Sequence, residues 1–324
     1  MIIAALVTLL HALLFLGGAC LGSFLGVVID RLGAAAPAGL CLPHPASSQT
    51  VSNPSEVLGA KGLWSPRSHC LDCNAPLAWF DLIPVLSYLL LRGRCRRCGA
   101  HIPPRLLWLE VFCGLLALCA VARWGLSWCA VGVFTLCWFL LALAWIDLRT
   151  GFLPLNLLVG LLISGWGFGL VDSGRVLPQG NQAFACVLNA SFVDRLIGAA
   201  AAFAALAGVL LACTAWLRAR GRLTPGQTAM GWGDPLLLAG IGAHVGWSWL
   251  PGIVMLACSQ GLLVALWSRW RGEPGPLFRP GERSKGSDKD DEGTPAGAFP
   301  FGPFLASGTW TAIAAELLWP GVLP

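Results

Sequence analysis

The chain has 324 residues, of which 56% are hydrophobic and only 11% charged, with a mean hydropathy of +0.71. Water-soluble globular domains carry about 25% charged residues, so that class is excluded and an all-α polytopic membrane protein is expected. The net charge of +5 calls for no nucleic-acid partner, because basic loops are what the orientation rule for membrane helices demands.

Eight apolar runs, each near the roughly 20 residues that a membrane helix needs, follow one another: 2–28, 107–123, 127–147, 152–171, 195–217, 235–250, 252–268 and 301–322. The first lacks a basic leader and an Ala-x-Ala exit, and so reads as an anchor rather than a cleaved signal peptide. With the N-terminus outside, loops 29–106, 148–151, 218–234 and 269–300 lie in the cytoplasm. They hold 18 of the 21 Lys and Arg residues; only Arg123, Arg175 and Arg195 fall outside or at the outer boundary. The expected organisation is a first transmembrane helix at 1–28, a cytoplasmic loop at 29–106, and a transmembrane domain at 107–324 with a mobile polar loop at 269–300. Within the first loop, Gly33–Lys61 is rich in Ala, Pro and Ser and reads as flexible, whereas Pro66–Pro104 is dense in Cys, Arg and Gly and reads as a small compact unit.

That unit contains an internal repeat. Cys70-Leu-Asp-Cys73-Asn74-Ala75-Pro76-Leu77 recurs as Cys95-Arg-Arg-Cys98-Gly99-Ala100-His101-Ile102, with 21 residues between the two pairs. Asn and Gly both tolerate the left-handed backbone that a turn around a metal requires. Four thiolates in two tight pairs, Cys70, Cys73, Cys95 and Cys98, match a tetrahedral structural zinc site. Two other readings compete: disulfides, which a reducing cytoplasm disfavours, and a thioredoxin-like redox pair, for which no βαβ pattern is present. His69 and His101 are substitute ligands to consider. The remaining cysteines, such as Cys113, Cys119 and Cys137, read as small apolar packing residues.

Two carboxylates stand at the cytoplasmic ends of spans. Asp147 follows the run Val131–Ile146, and Asp234 precedes the run Leu236–Leu250. Carboxylates are costly near hydrocarbon and usually functional there. Asp234-Pro235 also fits a plain helix start, with Asp as cap and Pro in the first turn. Asp147 has no such excuse, since the helix dipole disfavours a carboxylate at a C-terminus. Two carboxyls that share a proton can activate water for hydrolysis, and the pair suggests an intramembrane aspartyl protease. Glu110 and Glu316 are the other acidic residues in or near spans, and neither is placed to join the pair.

Several segments, in this order, resemble those of the prepilin peptidases, also called type IV prepilin leader peptidases. They are Gly22-Ser23-Phe24-Leu25-Gly26-Val27-Val28-Ile29-Asp30-Arg31-Leu32, the double Cys-x-x-Cys, Trp79-Phe80-Asp81-Leu82-Ile83-Pro84-Val85-Leu86-Ser87-Tyr88 between its halves, Ile146-Asp147-Leu148-Arg149-Thr150-Gly151-Phe152-Leu153-Pro154, Met230-Gly231-Trp232-Gly233-Asp234, and Phe299-Pro300-Phe301-Gly302-Pro303-Phe304-Leu305-Ala306. Each is weak alone; their order and spacing together are specific. The resemblance implies a multi-pass enzyme of the bacterial inner (plasma) membrane with its catalytic face in the cytoplasm. Such an enzyme removes the leader of prepilins and pseudopilins, then N-methylates the new terminal residue with S-adenosylmethionine. Asp147 and Asp234 carry over as the catalytic pair and the four cysteines as a zinc unit; the resemblance assigns no residues to the methyl donor. The chain departs from the family pattern at Leu236, where a lysine is usual, and at Pro235, Leu155 and Gly26. The departures at Leu236 and Pro235 motivate a rival reading as a non-catalytic membrane assembly factor with the same fold, and the cysteines a second rival, a redox or metal-dependent membrane protein. The retained aspartates argue against both.

Overall fold

The computed structural model describes residues 2–34, 68–70, 72–173, 188, 190–223, 228–271 and 301–318. The flexible reading of Gly33–Lys61 and the polar loop at 269–300 therefore fall almost wholly outside the described residues. The elements are helical: α1 (Ile2–Ala34), a 3-10 turn (Trp79–Leu82), α2 (Leu86–Leu90), α3 (Pro104–Trp124), α4 (Trp128–Thr150), α5 (Leu155–Ser173), α6 (Phe192–Ala219), α7 (Gly233–Val245), α8 (Leu250–Arg271) and α9 (Gly302–Leu318). Among the described residues the only β-pairing is two isolated bridges, His69 with Pro76 and Arg94 with His101. The chain is a multi-pass membrane protein: α1, α3, α4, α6 and α8 contain stretches long and apolar enough to cross a bilayer, and α5 is a shorter apolar helix.

Two compact units emerge. The first comprises α1, the cysteine segment, α2, α3 and α4 as far as Phe134; the second runs from Thr135 through α9. In the first, α1 and α3 touch backbone to backbone. A Cβ on Gly18 would lie 2.6 Å from the Cys113 carbonyl oxygen, and one on Gly22 2.6 Å from that of Leu109. Gly18, Gly22 and Gly26 recur every four residues, the small-residue stripe that lets membrane helices approach closely. Asp30, in the last turns of α1, receives both ends of the Arg105 guanidinium at 2.8 and 3.2 Å.

In the second unit α7 is the centre. A helix apolar on every face belongs inside, and every residue from Leu237 to Val245 is buried. Its 13 residues extend about 20 Å, less than the roughly 30 Å of a hydrocarbon core. The run predicted at 235–250 therefore corrects to a helix that stops at Val245. The reason is Gly246, which adopts φ +79° and donates its N–H to the Gly242 carbonyl at 2.9 Å. Small residues again permit contact, since a Cβ on Gly242 would stand 2.7 Å from the Gly198 carbonyl of α6 and one on Gly240 2.6 Å from Leu161 of α5.

The C-terminal end of α7 is closed by a buried cation. Arg195 is 1% exposed. Its guanidinium donates to the carbonyls of His244 (2.7 Å), Ala190 (3.1 Å), Gly165 (3.4 Å) and Leu188. Helix C-terminal carbonyls lack partners of their own, and an arginine satisfies them while opposing the dipole.

Candidate active site

Asp147 lies in the last turn of α4 and Asp234 is the second residue of α7; both are buried. The N-cap of α7 is Trp232, with no side-chain capping bond. The plain reading of Asp234 as a helix cap thus fails: its carboxylate is turned inward instead of serving the free N–H groups. Gly302 meets both Asp147 and Leu237 of α7, and Asp234 stands within reach of the Asp147 charge, so the two carboxyls share one neighbourhood. Burying two like charges near one another is costly, and carboxyls so placed relieve that cost by holding a proton.

Local sequence explains how each acid is presented. After Asp147 the helix closes on Gly151, which has φ +66° and donates its N–H to the Asp147 carbonyl at 2.8 Å. The Thr150 hydroxyl donates to the carbonyl of Ile146 at 2.8 Å. Pro154 then accepts the N–H groups of Leu157 and Leu158, starting α5. Between these, Leu153 rests on the start of α7, where a Cβ on Gly233 would be 2.9 Å from Leu153 Cβ. The segment after one aspartate is thus seated on the residue before the other.

A third segment completes the cluster. Gly302, the first residue of α9, sits so close to Asp147 that a Cβ would lie 2.5 Å from Oδ2 and 3.6 Å from Leu237 Cδ2. That Oδ2 is buried and has no hydrogen-bond partner among the described residues. The Arg149 guanidinium lies over the Trp145 ring, 5.6 Å from its centroid. Sequence reading found both aspartates but gave Gly233, Leu153 and Gly302 no function, although all three stood in the segments that carried the resemblance.

The cysteine unit has its own geometry. The two halves fold alike: Cys70 N–H donates to Ala75 O (3.0 Å) and Asn74 N–H to Cys70 O (3.0 Å), matched by Cys95 to Ala100 (2.8 Å) and Gly99 to Cys95 (2.9 Å). Asn74 and Gly99 have φ of +54° and +72°. The sulfurs of Cys70, Cys73, Cys95 and Cys98 lie within 4.8 Å of one another, and among the described residues no histidine joins this group. Zinc–thiolate bonds of about 2.3 Å in a tetrahedron put sulfurs about 3.8 Å apart, and Cys70 and Cys98 Sγ are 3.8 Å apart. The thiols also compete for charge. Backbone hydrogen bonding at Cys98 and Arg97 brings Cys95 down to about 7. The Ala100 backbone pulls Cys98 down too, but burial and the sulfurs of Cys73, Cys95 and Cys70 outweigh it and push that thiol up to about 12. His101 is engaged elsewhere, its Nδ1 2.8 Å from the Ile102 carbonyl oxygen. Outside this unit Cys129 is disulfide-bonded, unlike the packing cysteines expected from sequence.

Residues 16–124 match the model of the bacterial peptidase A24 N-terminal domain, and residues 134–266 that of the type IV leader peptidase family. A prepilin leader peptidase/N-methyltransferase of Burkholderia pseudomallei (strain 1026b) is 35% identical over 292 residues, covering 90% of this chain and 81% of that protein. Proteins of the same description from Aeromonas hydrophila and Stutzerimonas stutzeri are 33% and 32% identical, covering 96% and 93% of this chain and 91% and 88% of their own. No solved structure matches. Two family models lie side by side along the chain, and its relatives align over most of their length and its own. The chain therefore belongs to the prepilin leader peptidase/N-methyltransferase family.

Proposed function

We propose that this protein removes the leader peptide of prepilins and pseudopilins at the cytoplasmic face of the bacterial inner membrane and N-methylates the residue so exposed. The observation that carries the proteolytic reading is the buried pair Asp147 and Asp234. One carboxylate takes a proton from water as it attacks the scissile carbonyl carbon, while the other, protonated, donates to the carbonyl oxygen. Collapse of the tetrahedral species releases the leader and a new amine, which regains a proton from the pair. The position of both acids at helix ends fits a substrate whose cleavage point lies just outside a hydrophobic helix.

The orientation has independent support. Cys129 sits at the opposite end of α4 from Asp147 and is disulfide-bonded, as suits an oxidising compartment; the four clustered cysteines are free thiols. Those cysteines are the zinc ligands of this reading, and the metal supplies a structural cross-link between the two turns. S-adenosylmethionine is the methyl donor that family membership implies.

Asp147→Asn and Asp234→Asn proteins test the mechanism, because Asn keeps size but cannot share the proton. Each is expected to insert normally and to leave a prepilin-type substrate uncleaved. Substantial cleavage by either folded variant would falsify the aspartate mechanism. The rival assembly-factor reading rested on Pro235 and Leu236. Pro235 occupies the first turn of α7, where a missing N–H costs nothing, so that departure does not argue against catalysis.

A further inference from the structure

The segment joining the two cysteine turns has an apolar surface. Between the two cysteine turns, the 3-10 turn and α2 expose Trp79 (75%), Phe80, Leu82, Leu86, Leu89 and Leu90 (74%). On α2 the leucines follow the spacing of one helical face, at 86, 89 and 90. Six large apolar side chains in a dozen residues are far more than an aqueous surface carries singly.

Two ties fix the depth of this segment against α3. The Val85 N–H, at the start of α2, donates to Glu110 Oε2 at 2.7 Å. Glu110 stands six residues into α3 from Pro104, about 9 Å along the axis at 1.5 Å per residue. At the other end of α2, Gly93 O accepts the Ile102 N–H at 2.8 Å and the Tyr88 hydroxyl donates to Ile102 O at 3.4 Å, two residues before α3 starts. α2 therefore lies alongside the first turns of α3, at the level where α3 already exposes Trp108 and Phe112. Val85 holds φ +62° and ψ −51°, a strained state for a β-branched residue that persists only where its surroundings enforce it. The Glu110 carboxylate, which also bonds Ser23 of α1, takes the Val85 N–H, and the Leu86 N–H closes the turn on the Pro84 carbonyl at 2.6 Å.

We infer that Trp79–Leu90 is an interfacial element whose apolar side chains sit in the headgroup–acyl boundary of the membrane leaflet, with the cysteine unit laid on that surface. The occupant is an anionic phospholipid leaflet. Arg92, Arg94 and Arg97 are exposed in the same unit, and basic residues beside a shallow apolar face are what anionic headgroups attract. Trp79 supplies the amphipathic ring favoured at that depth. The inference rests on the membrane-spanning reading of α1 and α3.

The test uses the full chain in nanodiscs of phosphatidylcholine and phosphatidylglycerol containing a phospholipid with a diazirine in its acyl chain. After irradiation and digestion, mass spectrometry is expected to find lipid adducts on 79–90 as well as on Trp108–Leu115 of α3. Adducts on α3 with none on 79–90 overturn the proposal; adducts on neither overturn the membrane reading and the proposal with it. Changing Leu86, Leu89 and Leu90 together to Gln should abolish the 79–90 adducts while those on α3 persist. Photoreactive benzoylphenylalanine at position 90 gives an independent readout: crosslinks to lipid support the proposal. Crosslinks instead to a second copy, to residues 36–61 of the same chain or to a leader-bearing substrate overturn it.

Discussion

Gly302→Ala isolates the geometry of the site from its chemistry. The added Cβ would lie 2.5 Å from Asp147 Oδ2, where an ordinary contact begins at 3.4 Å. One of the two must retreat by about 0.9 Å, and a displacement near 1 Å in a catalytic constellation costs on the order of 100-fold, or about 2.7 kcal/mol in the barrier. Stability should not fall through the backbone, since the residue has no left-handed φ and Ala is the better helix former by up to about 1 kcal/mol. Leader removal from a prepilin-type substrate, followed by mass spectrometry in reconstituted membranes, should therefore slow about 100-fold with thermal stability nearly unchanged. Gly208→Ala, where a Cβ meets nothing within 4 Å, is the control and should cleave normally. A Gly302→Ala protein that cleaves within about threefold of the parent would sink the reasoning, because a 0.9 Å intrusion beside Asp147 would then be harmless.

Elemental analysis of purified protein should find about one zinc per chain, lost on Cys→Ser change at position 70, 73, 95 or 98; a metal-free loop stapled by a disulfide would contradict it. Arg195→Met leaves the carbonyls of His244, Ala190 and Leu188 without this donor, at about 1–3 kcal/mol each, so thermal denaturation should come markedly earlier, and Arg195→Lys should recover only part of the loss. Methyl transfer should be separable from proteolysis: Asp234→Asn protein given a substrate already lacking its leader should still methylate it, while damage to the cysteine unit should impair that step. Silence of folded Asp234→Asn protein in the methylation assay would show that the two reactions share one site.

What the sequence made legible was whatever repeats or costs energy visibly. Apolar runs of membrane length marked the helices, because lipid forces long uninterrupted stretches. The cysteine repeat marked its own fold, because both halves need the same turn and carry Asn74 or Gly99 where φ is positive. Asp147 stood out as a charge at the wrong end of a helix. What stayed illegible depended on contacts between distant segments. Gly302 and Asp147 are 155 residues apart in sequence, and nothing local in α9 says that its first residue must be small. Arg195 misled for the same reason: long cations at membrane edges usually reach for water, and only the fold shows this one turned in to the carbonyls that end α7.

The boundary of α7 shows why such contacts matter for function. Read as an apolar run, 235–250 is one more span; folded, it is a short helix buried from Leu237 to Val245 and held at both ends. Leu153 seats its first residue and Arg195 closes its last turn. A helix facing lipid could slide or tilt at small cost, but one packed through Gly240 and Gly242 against its neighbours' side chains and backbone cannot move without steric overlap. Asp234 rides on that fixed helix, so its carboxylate is held in position before any substrate arrives. Preorganisation of this kind is what a pair of acids requires to act on a single peptide bond.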